Sequence, residues 1–245
     1  MPITHERGYV IPAFDTEDVD YVSCARQLEA SIKEWHPDAH VTILENKDLR
    51  FGDAGGQAND WQVYSLSPYR QTIKLEADMY CAGPIDHWWT LFENRDVVIS
   101  QGCRDFYNRR GQSRRYRKIF DRNGLPDVYN AITYWRVSQT AQEFFRLVRE
   151  IFSNWNSFRT LLVQPDDHPS TDLVYAMAAQ ILGPETVTLP PSLGPSIVHM
   201  KKGIVSLTGE DWTKELVWEH TDPGLRINTV AQQGLVHYVN KRWRV

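Results

Sequence analysis

The sequence predicts a single α/β domain with a mainly parallel central sheet flanked by helices, and three observations point to it. The chain has 245 residues, 42% of them hydrophobic and 24% charged, which is enough for one sizeable packed core. Its first 44 residues show strand, helix and strand patterns in that order. No internal repeat or low-complexity linker divides the chain, so one domain is favoured over two.

The first three elements predict a parallel strand–helix–strand unit. Residues 8–14 are a short apolar run that ends in an acidic loop, as a buried strand does. The helix that follows has apolar side chains on one face, at Tyr21, Ala25, Leu28, Ile32 and Trp35. Pro37 ends this helix, and residues 41–44 form the second strand. A helical crossover of about 15 residues is typical of parallel pairing.

The rest of the chain continues the alternation. Gly-rich residues 51–60 are expected to form a mobile flap. Apolar runs predict strands at residues 72–76, 96–100, 128–137, 186–189 and 203–207. Helical spacing predicts helices at residues 85–92, 141–155 and 174–181, the last one capped by the polar run at residues 169–172.

Cysteine usage and the N-terminus favour a protein of the cytoplasm. The three cysteines, Cys24, Cys81 and Cys103, are odd in number and widely spaced, which excludes a disulfide scaffold or a zinc ribbon. The first residues lack the basic and apolar regions of a signal peptide, and no apolar run is long enough to span a membrane. We therefore expect a soluble protein in a reducing compartment.

The net charge of −4 hides a strong asymmetry. Residues 101–124, the basic segment, hold eight basic and two acidic side chains, which leaves 19 basic and 29 acidic side chains elsewhere. Arginines interleaved with aromatic rings are typical of surfaces that bind phosphates and stack bases. The alternative is a solvated basic loop. The predicted nucleic-acid contacts are Arg109, Arg110, Arg114, Arg115, Tyr116, Arg117 and Lys118.

Two acids follow the third predicted strand. Glu76 and Asp78 lie at its carboxyl end, the edge at which open α/β sheets bind ligands. Carboxylates at positions i and i+2 there can hold a hard divalent cation through oxygen. An acid-x-acid triplet is a common pattern, and a solvated turn at the strand end is the alternative interpretation.

The stretch from Tyr69 to Asp86, YRQTIKLEADMYCAGPID, resembles the corresponding segment of GT-A fold glycosyltransferases, especially the glycogenin-like group. In that group an aromatic-basic start leads along a strand into an acid-Ala-Asp motif, a Gly-containing turn and a helix. The first acid here is Glu76, where Asp is more usual. The resemblance implies a GT-A-like, Rossmann-like domain over residues 1–245. Residues 1–100 would bind the nucleotide sugar, and residues 101–245 the acceptor.

The C-terminal stretch HYVNKRW carries the second part of the resemblance. In such enzymes a late histidine completes the metal site, and a lysine before a tryptophan binds the diphosphate. The resemblance thus implies that His237 joins Glu76 and Asp78 in holding Mn²⁺ or Mg²⁺, and that Lys241 contacts the diphosphate. A lone late histidine on a surface tail is the alternative interpretation.

The resemblance further implies a UDP-sugar as donor substrate. Asp15 and Tyr21 are candidates for uracil and ribose contacts, and Arg70 and Lys74 for contacts with the base or the phosphates. The candidates near the reacting sugar are Asp127, Asn130 and Asp172. Retention of anomeric configuration, as in the glycogenin-like group, needs no protein base, whereas inversion would make Asp172 or Asp127 the base. Turn and capping roles are the alternatives for these two acids.

The basic segment predicts a polyanionic acceptor. Phage enzymes that glycosylate 5-hydroxymethylated pyrimidines in DNA offer an analogy, and a base of the 5-hydroxymethylcytosine type is the expected acceptor. If the protein is phage-encoded, the host cytoplasm is its expected location. Two alternatives stay open. The same fold could glycosylate a saccharide or a protein, or the chain could be a nucleic-acid-binding module without enzymatic activity.

Overall fold

Five strands form the central sheet: β1 (His5–Ala13), β2 (Val41–Glu45), β3 (Tyr69–Leu75), β5 (Val97–Gln101) and β7 (Val128–Arg136). Their order is β2-β1-β3-β7-β5. β1 runs parallel to β2 and β3, whereas β7 is antiparallel to both β3 and β5. Four strands therefore point the same way and β7 alone is reversed. This computed structural model describes residues 2–50, 56–111 and 117–244.

Both faces of the central sheet are buried. Along β1, Val10 packs into a core with the helices of one face, whereas Tyr9 and Ile11 pack into a second core on the other face. Alternating side-chain direction explains this division, because successive strand residues point to opposite faces. The predicted α/β domain with a mainly parallel sheet between helices is confirmed.

Helix α1 (Tyr21–Trp35) joins β1 to β2 as predicted, and the carboxylate of Asp20 caps it by accepting a 2.8 Å hydrogen bond from the amide of Ser23. Seven further helices follow: α2 (Val63–Leu66), α3 (His87–Phe92), α4 (Lys118–Arg122), α5 (Gln139–Ser153), α6 (Trp155–Leu161), α7 (Thr171–Leu182) and α8 (Pro184–Val187). The helices α5 and α7 cover the face of the central sheet opposite α1. No helix in the described ranges combines the length and the apolarity needed to cross a bilayer.

A second sheet lies beside the first. It consists of β4 (Met79–Cys81), β6 (Cys103–Arg104), β8 (Ile197–His199) and β12 (Leu235–His237), in the order β4-β12-β8-β6. A third, small sheet contains β9 (Trp218–His220), β10 (Leu225–Ile227) and β11 (Val230–Ala231). Buried Trp212, Tyr238 and Trp243 form a third core between these two sheets. The C-terminal segment is thereby packed rather than free, which rules out a loose surface tail.

Three predictions about the elements are wrong. Residues 186–189 are not a strand, because the helical turn α8, which begins at Pro184 after Gly183, includes the first two of them. Residues 203–207 form no strand, because Gly203 has a φ of 93° and the chain folds back there, leaving one bridge between Lys202 and Val205. Within the predicted flap, residues 51–55 lie outside the described part, whereas Gly56–Gln62 is a 3-10 helix with Asp60 buried.

A buried ion pair ties this 3-10 helix to the central sheet. Lys74, on β3, is 1% exposed, and its Nζ donates to both carboxylate oxygens of Asp60 at 3.0 Å and to Oδ1 of Asn130 at 2.6 Å. The hydroxyl of Tyr175, on α7, also donates to Asp60. Sheet, 3-10 helix and α7 therefore share one polar network, in which each charge has partners.

We predict that Lys74→Met lowers the free energy of unfolding by about 3–5 kcal/mol, because it leaves the carboxylate of Asp60 buried without its cation. Urea denaturation followed by circular dichroism measures this loss. The matched control is Lys33→Met, which breaks an exposed i, i+4 pair with Glu29 and should cost less than about 0.5 kcal/mol. Equal stability of the two variants would contradict the prediction.

Candidate active site

Strand pairing in the second sheet brings distant acids and a histidine together. Glu76 and Asp78 lie between the end of β3 and the start of β4. β12 pairs antiparallel with β4, so that His237 lies opposite Met79. One step further, the amide of Tyr238 donates a 3.2 Å hydrogen bond to the carbonyl of Asp78. Backbone hydrogen bonds thus place His237 beside an acid 159 positions earlier in the chain.

The three side chains form a compact cluster. Nε2 of His237 lies 2.8 Å from Oδ2 of Asp78 and 3.7 Å from Oε2 of Glu76. One potential ligand atom from each residue lies within 4.8 Å of the others. These are the three residues that the sequence analysis named as candidate metal ligands. Two carboxylates and one imidazole nitrogen are a donor set that suits Mn²⁺ or Mg²⁺, so the residues present fit such an ion.

The imidazole of His237 is held in its neutral form. Burial lowers the pKa of His237, and the carboxylates of Glu76 and Asp172 oppose this shift. A histidine whose pKa lies below 6.5 is mostly uncharged at pH 7, which is the form that binds a metal ion. Since Nε2 faces the two acids, it is the ring nitrogen available to an ion.

Lys241 completes the cluster. The chain turns sharply at Val239, whose φ is 61°, and this turn directs Lys241 back toward the acids. Its Nζ donates to Oδ2 of Asp78 and lies 5.7 Å from the centre of the Tyr21 ring. Burial lowers the pKa of Lys241, while the charge of Glu76 opposes that change. The ammonium group therefore lies where it could contact an anion beside the acids.

A second histidine, His199, was missed by the sequence analysis. It lies opposite His237 in the parallel pairing of β8 with β12, and the two rings stack with centres 4.7 Å apart. Burial lowers the pKa of His199 well below its usual value, and the nearby His237 adds to this effect. The signal was present in the sequence, because both histidines end a short Val-His strand, but only the pairing shows that they meet.

Two of the three acceptor-side candidates surround a buried arginine. Arg117 donates to Oδ1 of Asp127 at 2.8 Å and lies 3.6 Å from Oδ2 of Asp172. The rings of Phe120 and Tyr129 enclose its guanidinium group, which lies 3.8 and 4.2 Å from their centres. Arg117 is 5% exposed. Its predicted role in binding nucleic acid is therefore wrong, because two carboxylates and two rings already occupy its surface.

Lys74 and Asn130 are enclosed as well. Both belong to the buried network around Asp60, so the predicted contact of Lys74 with a nucleotide is wrong. Asn130 was predicted near the reacting sugar, and its side chain instead accepts from Lys74 and donates to Asp60. Its backbone amide donates to Oδ1 of Asp172 at 2.7 Å, which links this network to the residues around Arg117.

The predicted nucleotide contacts Asp15 and Arg70 lie at opposite ends of the strands of the central sheet. Asp15 follows β1 at the edge where the acids lie, and its Oδ1 accepts a 3.0 Å hydrogen bond from the amide of Val22. Arg70 lies at the start of β3, about 20 Å from Glu76 at a strand rise of about 3.3 Å per residue. It pairs there with Glu6 at 3.3 Å. The predicted contact of Arg70 with the donor is therefore wrong.

The other predicted nucleic-acid contacts lie partly outside the described residues. Arg114, Arg115 and Tyr116 lie outside the described residues. Arg109 is exposed but pairs with Asp105 at 2.8 Å. Arg110 and Lys118 are exposed on the surface.

Comparisons with known proteins yield similar structures but no relatives by sequence. No protein-family model matches the chain, and no curated protein matches it. The chain is similar to a glycosyltransferase involved in glycosylation of the major capsid of PBCV-1, with 11% identity, 94% of this chain and 92% of that chain covered, and a TM-score of 0.49. It is also similar to the galactosyltransferase LgtC in complex with donor and acceptor sugar analogs, with 11% identity, 69% and 70% covered, and a TM-score of 0.44. Mouse xyloside xylosyltransferase 1 shows 9% identity, 76% and 84% coverage, and a TM-score of 0.44. Similarities of this size assign no function.

We predict that Asp78→Asn weakens the binding of Mn²⁺ by more than tenfold, because it replaces the buried carboxylate of the cluster, which lies 2.8 Å from Nε2 of His237, with a neutral amide. Isothermal titration with Mn²⁺ alone measures this change. Asp96→Asn is the control, since Asp96 pairs with Arg136 away from the cluster. Unchanged Mn²⁺ affinity in the Asp78 variant would contradict a cation site at these residues.

Proposed function

We propose that this protein is a metal-dependent glycosyltransferase that moves a sugar from a UDP-sugar to an acceptor hydroxyl. The observation that carries the proposal is the cluster of Glu76, Asp78 and His237, with Lys241 beside it, at the carboxyl edge of parallel strands. Ligands of open α/β sheets bind at that edge. The proposal assigns the donor to residues 1–100 and the acceptor to residues 101–245, which also contain the C-terminal metal and diphosphate motif.

The residues at the carboxyl ends of these strands each have a role in the proposed reaction. Asp15 and Tyr21 would bind the uracil and ribose, since both lie at the edge where the acids lie. A divalent cation held by the cluster would supply positive charge to the leaving diphosphate. The ammonium of Lys241 would leave Asp78 and stabilise the same diphosphate as negative charge builds on it.

The surroundings of Asp172 support transfer with retention. Its Oδ1 accepts from the amide of Asn130, and its Oδ2 faces Arg117. Asp127 is also paired with Arg117. A general base must be free to accept a proton from the acceptor hydroxyl, and these hydrogen bonds compete for the oxygens that it would use. We therefore assign both acids to positioning the acceptor side of the site rather than to proton abstraction.

We predict that Lys241→Met weakens the binding of UDP in the presence of Mn²⁺ by about tenfold or more, because one charge-assisted contact with the diphosphate is lost. Isothermal titration with UDP and Mn²⁺ measures the affinity, and UDP release from a panel of UDP-sugars measures turnover. The control is Lys214→Met, which removes an exposed lysine that pairs with Asp211. If UDP fails to bind to the unmodified protein, the proposed function is rejected.

A hydroxymethylated base in DNA is a narrower candidate for the acceptor. It is favoured by the exposed cations of the basic segment, Arg109, Arg110 and Lys118, in an otherwise acidic protein. A saccharide or protein acceptor is the alternative, and a nucleic-acid-binding module would bind DNA but no UDP. The burial of Arg117 reduces the cations available to this surface.

For a DNA acceptor, we predict a mass increase of one sugar on 5-hydroxymethylcytosine after incubation with UDP-sugars and Mn²⁺. Digestion of the DNA to nucleosides and mass spectrometry detect the product, and the same DNA with unmodified cytosine is the control. In addition, Lys118→Gln should weaken DNA binding and make it less dependent on salt concentration, without changing the affinity for UDP. If UDP binds but no modified nucleoside is detected, the proposed glycosyltransferase activity stands and this acceptor is excluded.

A further inference from the structure

A large cavity of the described structure lies away from the acid cluster. It is an open groove of about 1260 Å³ at the opposite end of the second sheet. Gly234 lines the groove immediately before β12, whereas His237 ends β12 at the acid cluster. At about 3.3 Å per residue, about 10 Å of backbone separate the two. The groove is larger than the 300–1000 Å³ typical of sites for small molecules, so it suits an oligomer.

The groove offers both flat and hydrogen-bonding surfaces. Trp35, which is half-buried, contributes an indole ring, and Ser192 and Gln233 contribute exposed polar groups. Asn108 is exposed as well, and its Oδ1 accepts a hydrogen bond from Nη1 of Arg104. Amides and hydroxyls can both donate and accept, which matches the many hydroxyl groups of a sugar chain. Indole rings present the apolar surface against which sugar rings can pack.

Two arginines give the groove its charge. Arg104 and Arg110 lie directly opposite each other in an antiparallel bridge, and both line the groove. Side chains opposite each other in such a pair point to the same face, and like charges at these positions repel. The acid of this hairpin, Asp105, turns away and pairs with Arg109. Within the described residues, neither groove arginine has a carboxylate within ion-pair distance.

The hairpin is nevertheless built to hold these two side chains together. The carboxylate of Asp105 accepts 2.9 Å hydrogen bonds from the amides of Tyr107 and Arg109, which fixes the turn. A side chain at Gly111 would collide with Sγ of Cys103 at 2.7 Å, so glycine lets the two arms close. Nε of Arg104 is buried without a hydrogen-bond partner, and burial lowers the pKa of its guanidinium group. An anionic ligand between the two guanidinium groups would relieve their repulsion.

We propose that this groove binds an anionic oligosaccharide, with Arg104 and Arg110 contacting its carboxylate or sulfate groups. Nucleic acid fits less well, because affinity for DNA depends on neutralising many phosphates and the groove presents only two guanidinium groups without a carboxylate partner among the described residues. The one acid of the lining, Asp127, is paired with buried Arg117, and the lining also offers the hydrogen-bonding groups that sugar hydroxyls require. The groove shares no residue with the acid cluster, although its lining includes Asp127, which the proposed function assigns to the acceptor side.

Isothermal titration with three hexasaccharides tests the proposal on the full chain. Hexagalacturonate carries carboxylates, a heparin hexasaccharide carries sulfates as well, and neutral maltohexaose is the uncharged comparison. We expect either acidic hexasaccharide to bind at least tenfold more tightly than maltohexaose, and the difference between the two acidic chains identifies the preferred anion. Arg110→Gln, at an exposed position, should weaken this binding about tenfold, and Arg104→Gln with Arg110→Gln should weaken it further.

Arg109→Gln is the matched control, since Arg109 belongs to the same hairpin but does not line the groove. It should leave acidic hexasaccharide binding within about twofold, as should Asp78→Asn. Equal losses in Arg109→Gln and Arg110→Gln would overturn the proposal, because they would indicate general attraction to positive charge. Absent binding, equal binding of maltohexaose, or tighter Arg110-dependent binding of a 20-nucleotide DNA would overturn it as well.

Discussion

The antiparallel pairing of β12 with β4 is the constraint on which the candidate site depends. Three residue pairs suffice to place His237 opposite Met79, next to the acids that end β3. The same pairing positions the turn at Val239 and thus Lys241. Buried Trp243 anchors the chain beyond this turn among Trp212 and Tyr238. Because backbone hydrogen bonds and aromatic packing carry the arrangement, the site is formed before any ligand binds.

Buried cations organise the surroundings of this site. Lys74 links β3 to α7 through Asp60 and Tyr175, and Arg117 links two acids between two aromatic rings. A charge that is removed from water must be paired, so Lys74 and Arg117 donate their hydrogen bonds to groups inside the protein. Asn130 connects the two groups, since its side chain joins the first and its amide joins Asp172 of the second. Such linked networks tie β3, β7 and α7 together.

The second sheet separates two surfaces of different charge. Its β12 carries His237 beside the acids at one end and begins next to the arginine-lined groove at the other. Four described arginines of the basic segment lie in three different places. Arg104 and Arg110 line the groove, Arg109 pairs with Asp105 in a turn, and Arg117 is buried.

The sequence by itself determined the α/β class, the strand–helix–strand start and the candidate residues Glu76, Asp78, His237 and Lys241. The class and the first three elements follow from local periodicity, Glu76 and Asp78 from an acid-x-acid motif at a strand end, and His237 and Lys241 from the resemblance to GT-A fold glycosyltransferases. Only the tertiary structure decided that Arg70 lies at the end of β3 opposite the acids, where it pairs with Glu6. It also decided that Lys74 and Arg117 are buried and that His199 stacks on His237. The type of a charged residue does not reveal its partners. Pairing between segments far apart in the chain decides whether that charge faces a ligand or another side chain.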